Sequence, residues 1–244
     1  MKIVATIEAR MTSTRLPGKV LLPALGRPML SHLVRRVRAV PSVHDVVLAT
    51  TVNRDDDVLE AFARDEGIAC FRGSEDDVLS RVIGAASSVT GDVVVEITGD
   101  CPIIDPELVE QVIRTFRANS AVYVSNGHVR SYPDGMDTQV LRLEALQRSA
   151  TMTTDPLDRE HVTLHIRNHP ELFPALHCVA PPELYWPELG LTLDEPRDYE
   201  LLTRIIEHFG DERPLFSCLD VVRLLRARPN WYAINEQVLR KGDT

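Results

Sequence analysis

Arg10, Arg15 and Lys19 fall within one stretch, Ile7-Glu8-Ala9-Arg10-Met11-Thr12-Ser13-Thr14-Arg15-Leu16-Pro17-Gly18-Lys19, together with the hydroxyls of Thr12, Ser13 and Thr14. Cations and hydroxyls concentrated where a chain leaves a strand can neutralise a polyphosphate and donate many hydrogen bonds to it. The stretch follows an apolar run, residues 3–7, that reads as a first β-strand. Its spacing is neither that of a P-loop, G-x-x-x-x-G-K-[ST], nor that of the dinucleotide fingerprint G-x-G-x-x-G. A solvated loop would explain an isolated run of this kind. The strand before it and the Pro17-Gly18 turn within it favour an anion site.

Two aspartates follow apolar runs in a way that suits metal-holding carboxylates. Asp100 lies in Ile97-Thr98-Gly99-Asp100-Cys101-Pro102. Asp194 lies in Leu191-Thr192-Leu193-Asp194-Glu195-Pro196, where a short strand over 191–193 is expected to meet a Pro-initiated helix. Each alone has a plain structural reading: Gly-Asp as a turn, and Glu195 as a helix cap with Asp194 beside the dipole. Paired, they match the way Mg2+ is held by one or two carboxylates plus substrate phosphates. Arg72-Gly73-Ser74 sits at another strand-to-helix turn, where a base or ribose could be read; a capping box of Ser74 and Asp77 explains it equally well. Asp134 and Asp137, with Arg159, Glu160 and His161, offer polar partners for a hydroxylated, acidic acceptor. His161, His165 and His169 would share one face of a helix over 158–169. With no cysteine or carboxylate at ligand spacing, a polar helix face explains them better than zinc. No G-x-S-x-G elbow and no H-E-x-x-H motif occurs.

These residues need elements to position them. Strands are expected at 3–7, 46–50, 68–71, 93–97 and 121–125, with another over 136–141. Several are continuous apolar runs, as in strands buried on both faces. After Pro28, the residues Met29, Leu30, Leu33, Val34 and Val37 form one helical face, with Arg35, Arg36 and Arg38 on the other. Further helices are expected through Val78, Val82 and Ala86, after the Asp105-Pro106 cap, over 196–208 and over 215–228. The alternation implies a three-layer α/β fold with a mostly parallel central sheet. Ligands then bind beyond the C-terminal strand ends, where the loops after 3–7 and 93–97 both lie. The chain reads as a single domain, 1–244, whose looser segment 132–187 forms a small lobe covering the site or making a dimer contact.

The chain has 244 residues, 44% of them hydrophobic, and a net charge of −9. No basic stripe runs along it, which argues against a nucleic acid polymer or an anionic membrane as partner. No apolar run approaches the ~20 residues that span a bilayer, and the N-terminus lacks the form of a signal peptide. Cys70, Cys101, Cys178 and Cys218 are far apart and read as reduced, mostly buried thiols of a cytoplasmic protein.

The ordered set of motifs resembles the sugar-acid cytidylyltransferases, the group of CMP-Kdo and CMP-sialic acid synthetases. The nearest likeness is to the spore coat polysaccharide biosynthesis protein F branch. It is carried by Ala9-Arg10 through Lys19, Gly26-Arg27-Pro28-Met29, Phe71-Arg72-Gly73-Ser74-Glu75-Asp76-Asp77-Val78-Leu79, Ile97 to Pro102, Tyr132-Pro133-Asp134-Gly135-Met136-Asp137, Arg159-Glu160-His161-Val162-Thr163 and Leu193-Asp194-Glu195-Pro196, over roughly residues 1–209. Glu8 stands where relatives often carry Gln or Pro, and Thr12 where this branch often has Gly. The resemblance implies a Rossmann-like nucleotidyltransferase fold, a homodimer, and Mg2+ as cofactor. It implies transfer of CMP from CTP to a small acidic sugar of Kdo or nonulosonic type, with pyrophosphate released. Residues matching Arg10 and Lys19 contact the triphosphate in that family, and those matching Asp100 and Asp194 hold Mg2+. The expected nucleotide side comprises Ala9, Arg10, Thr12, Ser13, Arg15, Lys19, Arg72, Gly73, Ser74, Thr98 and Gly99, with Arg10, Lys19 and Asp100 catalytic. The expected acceptor side comprises Asp134, Asp137, Arg159, Glu160 and His161. Two alternatives stay open: a sugar 1-phosphate or phosphonate acceptor, which Arg130 or Arg159 would suit, and a non-catalytic nucleotide-binding subunit, which degraded phosphate or metal residues would mark.

Overall fold

Ile3, Val4, Ala5, Thr6 and Ile7 are all buried, because the strand they form is flanked on both edges and covered on both faces. The computed structural model describes residues 1–239, so 240–244 of the expected single domain lie outside the described residues. In chain order the elements are β1 (Ile3–Glu8), a short hairpin of β2 (Pro23–Ala24) and β3 (Arg27–Pro28), α1 (Met29–Arg38), β4 (Asp45–Thr51), α2 (Asp57–Glu66), β5 (Ala69–Gly73), α3 (Val78–Ser88), β6 (Val93–Thr98) and α4 (Pro106–Ala118). They continue with β7 (Tyr123–Ser125), β8 (Gln139–Arg142), α5 (Leu143–Met152), α6 (Pro156–Glu160), α7 (Leu164–Asn168), β9 (Ala175–His177), α8 (Pro196–Phe209), α9 (Cys218–Ala227) and α10 (Pro229–Tyr232).

The seven-stranded sheet runs β5-β4-β1-β6-β8-β7-β9. Its first four strands are parallel, β8 is antiparallel to both β6 and β7, and β9 is parallel to β7. The order reverses at β1: β4 and β5 lie to one side, β6 to the other. Alternate side chains of β1 feed different layers. Ile3, Ala5 and Ile7 pack with residues of α1, α2 and α4, whereas Val4 packs with Ala85 of α3. A further cluster joins α8 and α9 to Met29, Tyr132, Met136 and Leu189, Leu191 and Leu193. Among the described residues no helix is long and apolar enough to cross a membrane. All four cysteines are free; Cys101 and Cys218 are buried, Cys70 and Cys178 only partly so.

Several local expectations are corrected. The 191–193 stretch is not a strand: Leu191 and Leu193 are held by bonds to Asp134 and Asp100 carbonyls, and only an isolated bridge joins Asp134 to Gly190. Residues 158–169 are not one helix but α6 and α7, broken at 161–163, so the three histidines do not share a continuous face. The α3 cap is Asp77, which accepts from Ser80 N–H, while Ser74 closes the turn before it by accepting from Asp77 N–H. The helices α2 and α5 and the strand β9, none of them located from the sequence, complete the layers.

Arg36 is the plainest reversal. Placed on the solvent face by periodicity, it is 1% exposed. Its guanidinium donates to the carbonyls of Ile104 and Phe216 and lies 4.0 Å over the Phe216 ring. Burial lowers its pKa to about 10, with the Asp105 carboxylate opposing the drop, so it stays charged at neutral pH. It ties α1 to the start of α4 and to the turn before α9. Arg36→Met keeps the apolar stem but leaves two buried carbonyls unpaired. Urea unfolding of this variant is expected to show a loss of about 2–4 kcal/mol; an unchanged midpoint would remove Arg36 from the fold's supports.

Candidate active site

The β1 and β6 ends meet at the point where strand order reverses, the place such sheets offer a ligand. Gly99 N–H donates to the Glu8 carbonyl at 2.8 Å. A Cβ at Gly99 would lie 2.6 Å from that oxygen and 3.0 Å from Ala9 Cβ, so only glycine permits the approach. The loop after β1 is pinned by Met11 N–H on Asp56 Oδ1 and by Gly18 N–H on the Met11 carbonyl. Gly18 turns the chain at φ 70°, a left-handed value that brings Lys19 back over the strand ends. From the other side, Leu193 N–H donates to the Asp100 carbonyl, setting Asp194 beside Asp100.

The result is a convergence of charge. Lys19 Nζ lies 3.0 Å from Asp100 Oδ2 and 2.9 Å from Asp194 Oδ1. Arg15 Nη2 lies 2.8 Å from the same Asp194 oxygen. Thr98 and Thr192 hydroxyls donate to Asp100 and Asp194. Burial pulls the Lys19 pKa down, but the two carboxylates outweigh it and the net shift is upward. Burial likewise raises Asp194, and Lys19 and Arg15 outweigh it to hold that carboxyl below its ordinary value. Arg10 completes the cationic side from a separate pair, Nη1 to Glu75 Oε1 at 2.8 Å. Two carboxylates within reach of one point are a hard-oxygen donor set of the number Mg2+ takes from protein alongside phosphate and water. Asp100 and Asp194 therefore fit that ion.

An open cleft of about 840 Å3 surrounds this cluster. Of the residues named from the sequence, Ala9, Arg10, Ser13, Arg15, Lys19, Ser74, Thr98, Gly99, Asp100, Asp134, Asp137, Arg159, Glu160, His161 and Asp194 line it. Thr12, Arg72 and Gly73 do not. The Thr12 hydroxyl donates to Glu75 Oε1, so it orients the Arg10 partner. Arg72 points to α2 and the end of β4, where the Thr51 and Asn53 carbonyls and the Asp57 and Glu60 carboxylates take its donors. Gly73 pairs with Thr51, and a Cβ there would meet the Arg81 side chain at 3.1 Å. Arg159 faces the cleft while donating to the Ala150 and Thr153 carbonyls and to Ser80 and Asp77.

Sequence reasoning missed Glu75, Arg81 and Glu96. Glu75 also accepts from Asn53, and the Thr12 and Asn53 hydrogen bonds, aided by Arg10, lower its pKa. Arg81 is buried and donates to the Ser74 and Glu75 carbonyls; its place on the apolar face with Val78 and Val82 was the available signal. Glu96 is the one charge in the run Val93–Thr98. It is hydrogen-bonded to Glu8, and burial followed by the neighbouring carboxylate pushes the Glu8 pKa well up. Burial also raises Glu96, with the hydrogen bonds to Glu8 and Gln139 opposing the rise. Glu96 accepts as well from Gln139, whose carbonyl oxygen takes the Tyr123 and Thr163 hydroxyls.

A cytidylyltransferase family profile matches residues 4–210. The spore coat polysaccharide biosynthesis protein SpsF of Bacillus subtilis (strain 168) is 36% identical over 233 residues, 93% of this chain and 95% of that protein. A 3-deoxy-manno-octulosonate cytidylyltransferase of Geobacter metallireducens is 30% identical over 146 residues, 59% of this chain and 56% of that enzyme. Among solved structures, a cytidylyltransferase from Leptospira borgpetersenii serovar Hardjo-bovis (strain JB197) superposes with a TM-score of 0.90 at 31% identity, covering 98% of this chain and 99% of the other.

Asp137 gives the site a pH signature. Burial first, then the Asp134 carboxylate, raise its pKa from 3.8 to about 7, with Arg130 opposing. The folded chain keeps a proton there that the unfolded chain gives up. This contribution to stability is complete below the unfolded pKa and is lost as pH rises towards 7, at up to ~1.4 kcal/mol per pH unit. Asp137→Asn carries no charge and escapes the loss. Unfolding across this range should show the variant drawing ahead of wild type by on the order of 2–4 kcal/mol as pH rises. Parallel pH profiles would refute this account of the site.

Proposed function

The chain belongs to the cytidylyltransferase family, and on that premise we propose that it transfers CMP from CTP to a hydroxyl of an acidic sugar of the Kdo or nonulosonic type, releasing pyrophosphate. The observation that carries the reading is the Lys19 ammonium between Asp100 and Asp194, with Arg15 on the same Asp194 oxygen and Arg10 lining the same cleft. Arg10, Arg15 and Lys19 bind the triphosphate and neutralise the charge that grows on the α-phosphate and the leaving pyrophosphate. Asp100 and Asp194 would hold Mg2+, which when bound polarises the α-phosphate and acidifies the attacking hydroxyl. The acceptor oxygen bonds to the α-phosphorus as its bond to the bridging oxygen breaks, and no residue is covalently modified. In the nucleotide-free protein the loop's cations rest on carboxylates, so nucleotide entry exchanges one set of ion pairs for another without stranding a charge.

The same cleft bears on the acceptor. Asp134, Asp137 and Glu160 line it, and the Arg159 guanidinium is already engaged by two carbonyls. These carboxyl oxygens can take hydrogen bonds from the hydroxyls of a sugar, which supports a polyhydroxylated acceptor. Lys19→Ala and Asp100→Ala are expected to retain the fold and each lose about a hundredfold in turnover, ~3 kcal/mol of transition-state stabilisation. Pyrophosphate release against a panel of nucleoside triphosphates and acceptors measures this. Near-normal release by either variant would sink the assignment, and nucleotide binding without release across the panel would identify a non-catalytic subunit.

A further inference from the structure

The family profile ends at residue 210, yet the chain beyond it returns to the site. Trp231, Tyr232 and Ile234 pack against the cluster built by α8 and α9, and Val238 is buried. Between them Asn235 is 3% exposed. Its side-chain amide donates to the Gly190 carbonyl at 2.9 Å and to Asp198 Oδ1 at 2.8 Å. Asp198 is itself fully buried, and its other oxygen accepts the N–H groups of Asp194, at 3.1 Å, and Glu195, at 2.9 Å. One amide thus grips the Asp194 loop twice: directly at Gly190, and through Asp198 at Asp194. A second contact reaches the same carboxylate from the cation side. The Leu239 carbonyl accepts from Arg15 Nη1 at 3.3 Å, while Arg15 Nη2 holds Asp194 Oδ1 at 2.8 Å.

We propose that the segment after α10 aims the Asp194 carboxylate at its divalent cation, with Asn235 as the positioning residue acting through Asp198 and the Leu239 carbonyl steadying Arg15. The inference rests on the cytidylyl-transfer reading, in which Asp194 is a metal ligand. The physical reason is geometric. A carboxylate ligand is only as well placed as the backbone beneath it, and partners that orient ligands typically control metal affinity by ~10–100-fold. The Asp194 backbone hangs from Asp198, and Asn235 donates to the far oxygen of Asp198. Removing the amide takes this donor from the Asp198 oxygen and from the buried Gly190 carbonyl, and loosens the hold on the loop between them.

The test compares Asn235→Ala with Asn235→Asp. The second keeps the volume but replaces the donor with an oxygen facing Asp198. Mn2+ is the probe, its binding in the presence of CTP followed by the loss of its free EPR signal on full-length protein checked for folding by circular dichroism. Both variants are expected to bind Mn2+ ~10–100-fold more weakly than wild type and to need correspondingly more Mg2+ for half-maximal pyrophosphate release. The acceptor KM is expected to stay put. If Asn235 serves only packing, Asn235→Asp will match wild type in Mn2+ affinity, and that result overturns the proposal. So does failure of both variants to fold, which makes Asn235 a plain core residue. A wild-type chain that neither binds Mn2+ with CTP nor releases pyrophosphate overturns the underlying reading instead, so the two failures are distinguishable.

Discussion

Everything in this cleft is arranged around one ammonium group held between two carboxylates. Lys19 is largely enclosed, as are Asp100 and Asp194, so none of the three could sit there alone: a charge taken from water without a partner costs far more than a surface ion pair returns. Their mutual contact, with Arg15 as a second cation on Asp194, makes the burial tolerable. The backbone features nearby read as conditions for that contact. Gly18 turns the loop so that Lys19 arrives, Gly99 lets β6 end tight against β1, and the Leu193 to Asp100 hydrogen bond sets the second aspartate in place. Loss of any one shifts a charge, not merely a side chain.

The cleft mixes both signs of charge. Arg10, Arg15 and Lys19 line it together with Glu8, Asp134 and Asp137, and Glu96 is buried behind Glu8. Carboxylates crowded together in a poorly hydrated place cannot all ionise, and the raised pKa values of Glu8, Glu96 and Asp137 are the consequence. These carboxyls therefore give up their protons at higher pH than free ones do. An acidic chain with a net charge of −9 still presents a local cationic grip, because Arg10, Arg15 and Lys19 are gathered in one loop. Arg81 contributes as well: its charge opposes the shift at Glu8, and its donors fasten the turn carrying Ser74 and Glu75.

How far the sequence revealed this depended on the kind of signal. Continuous apolar runs announced β1, β4 and β6 to within a residue or two, because strands buried on both faces leave little room for polar side chains. The loop cations and the Asp100 turn were legible because chemistry-bearing residue types clustered beside such a strand. What stayed hidden was long-range pairing. Nothing local says that Arg72 will be consumed by Thr51, Asn53, Asp57 and Glu60, or that Arg36 will be drawn inward by the carbonyls of Ile104 and Phe216. The break at 161–163 was likewise invisible to a four-residue histidine spacing, since periodicity continues across a helix end that tertiary contacts impose.

The segment around Asp194 shows why a structural and a functional reading of one motif need not compete. Asp194-Glu195-Pro196 followed by Asp198 has the pattern of a helix start, and the structure forms the capping box: Glu195 receives the N3 N–H, and Asp198 receives the N-cap N–H. But Asp198 accepts the Asp194 N–H with the same oxygen. The bonds that begin α8 are thus the bonds that fix the backbone of the aspartate one residue upstream, and its side chain projects from the cap towards Lys19. A cap is rigid because it satisfies donors that would otherwise be orphaned, and that rigidity passes to the neighbouring carboxylate. The ordinary stabilisation of a helix end and the placement of a charged ligand are here one set of hydrogen bonds, so selection on either would preserve both.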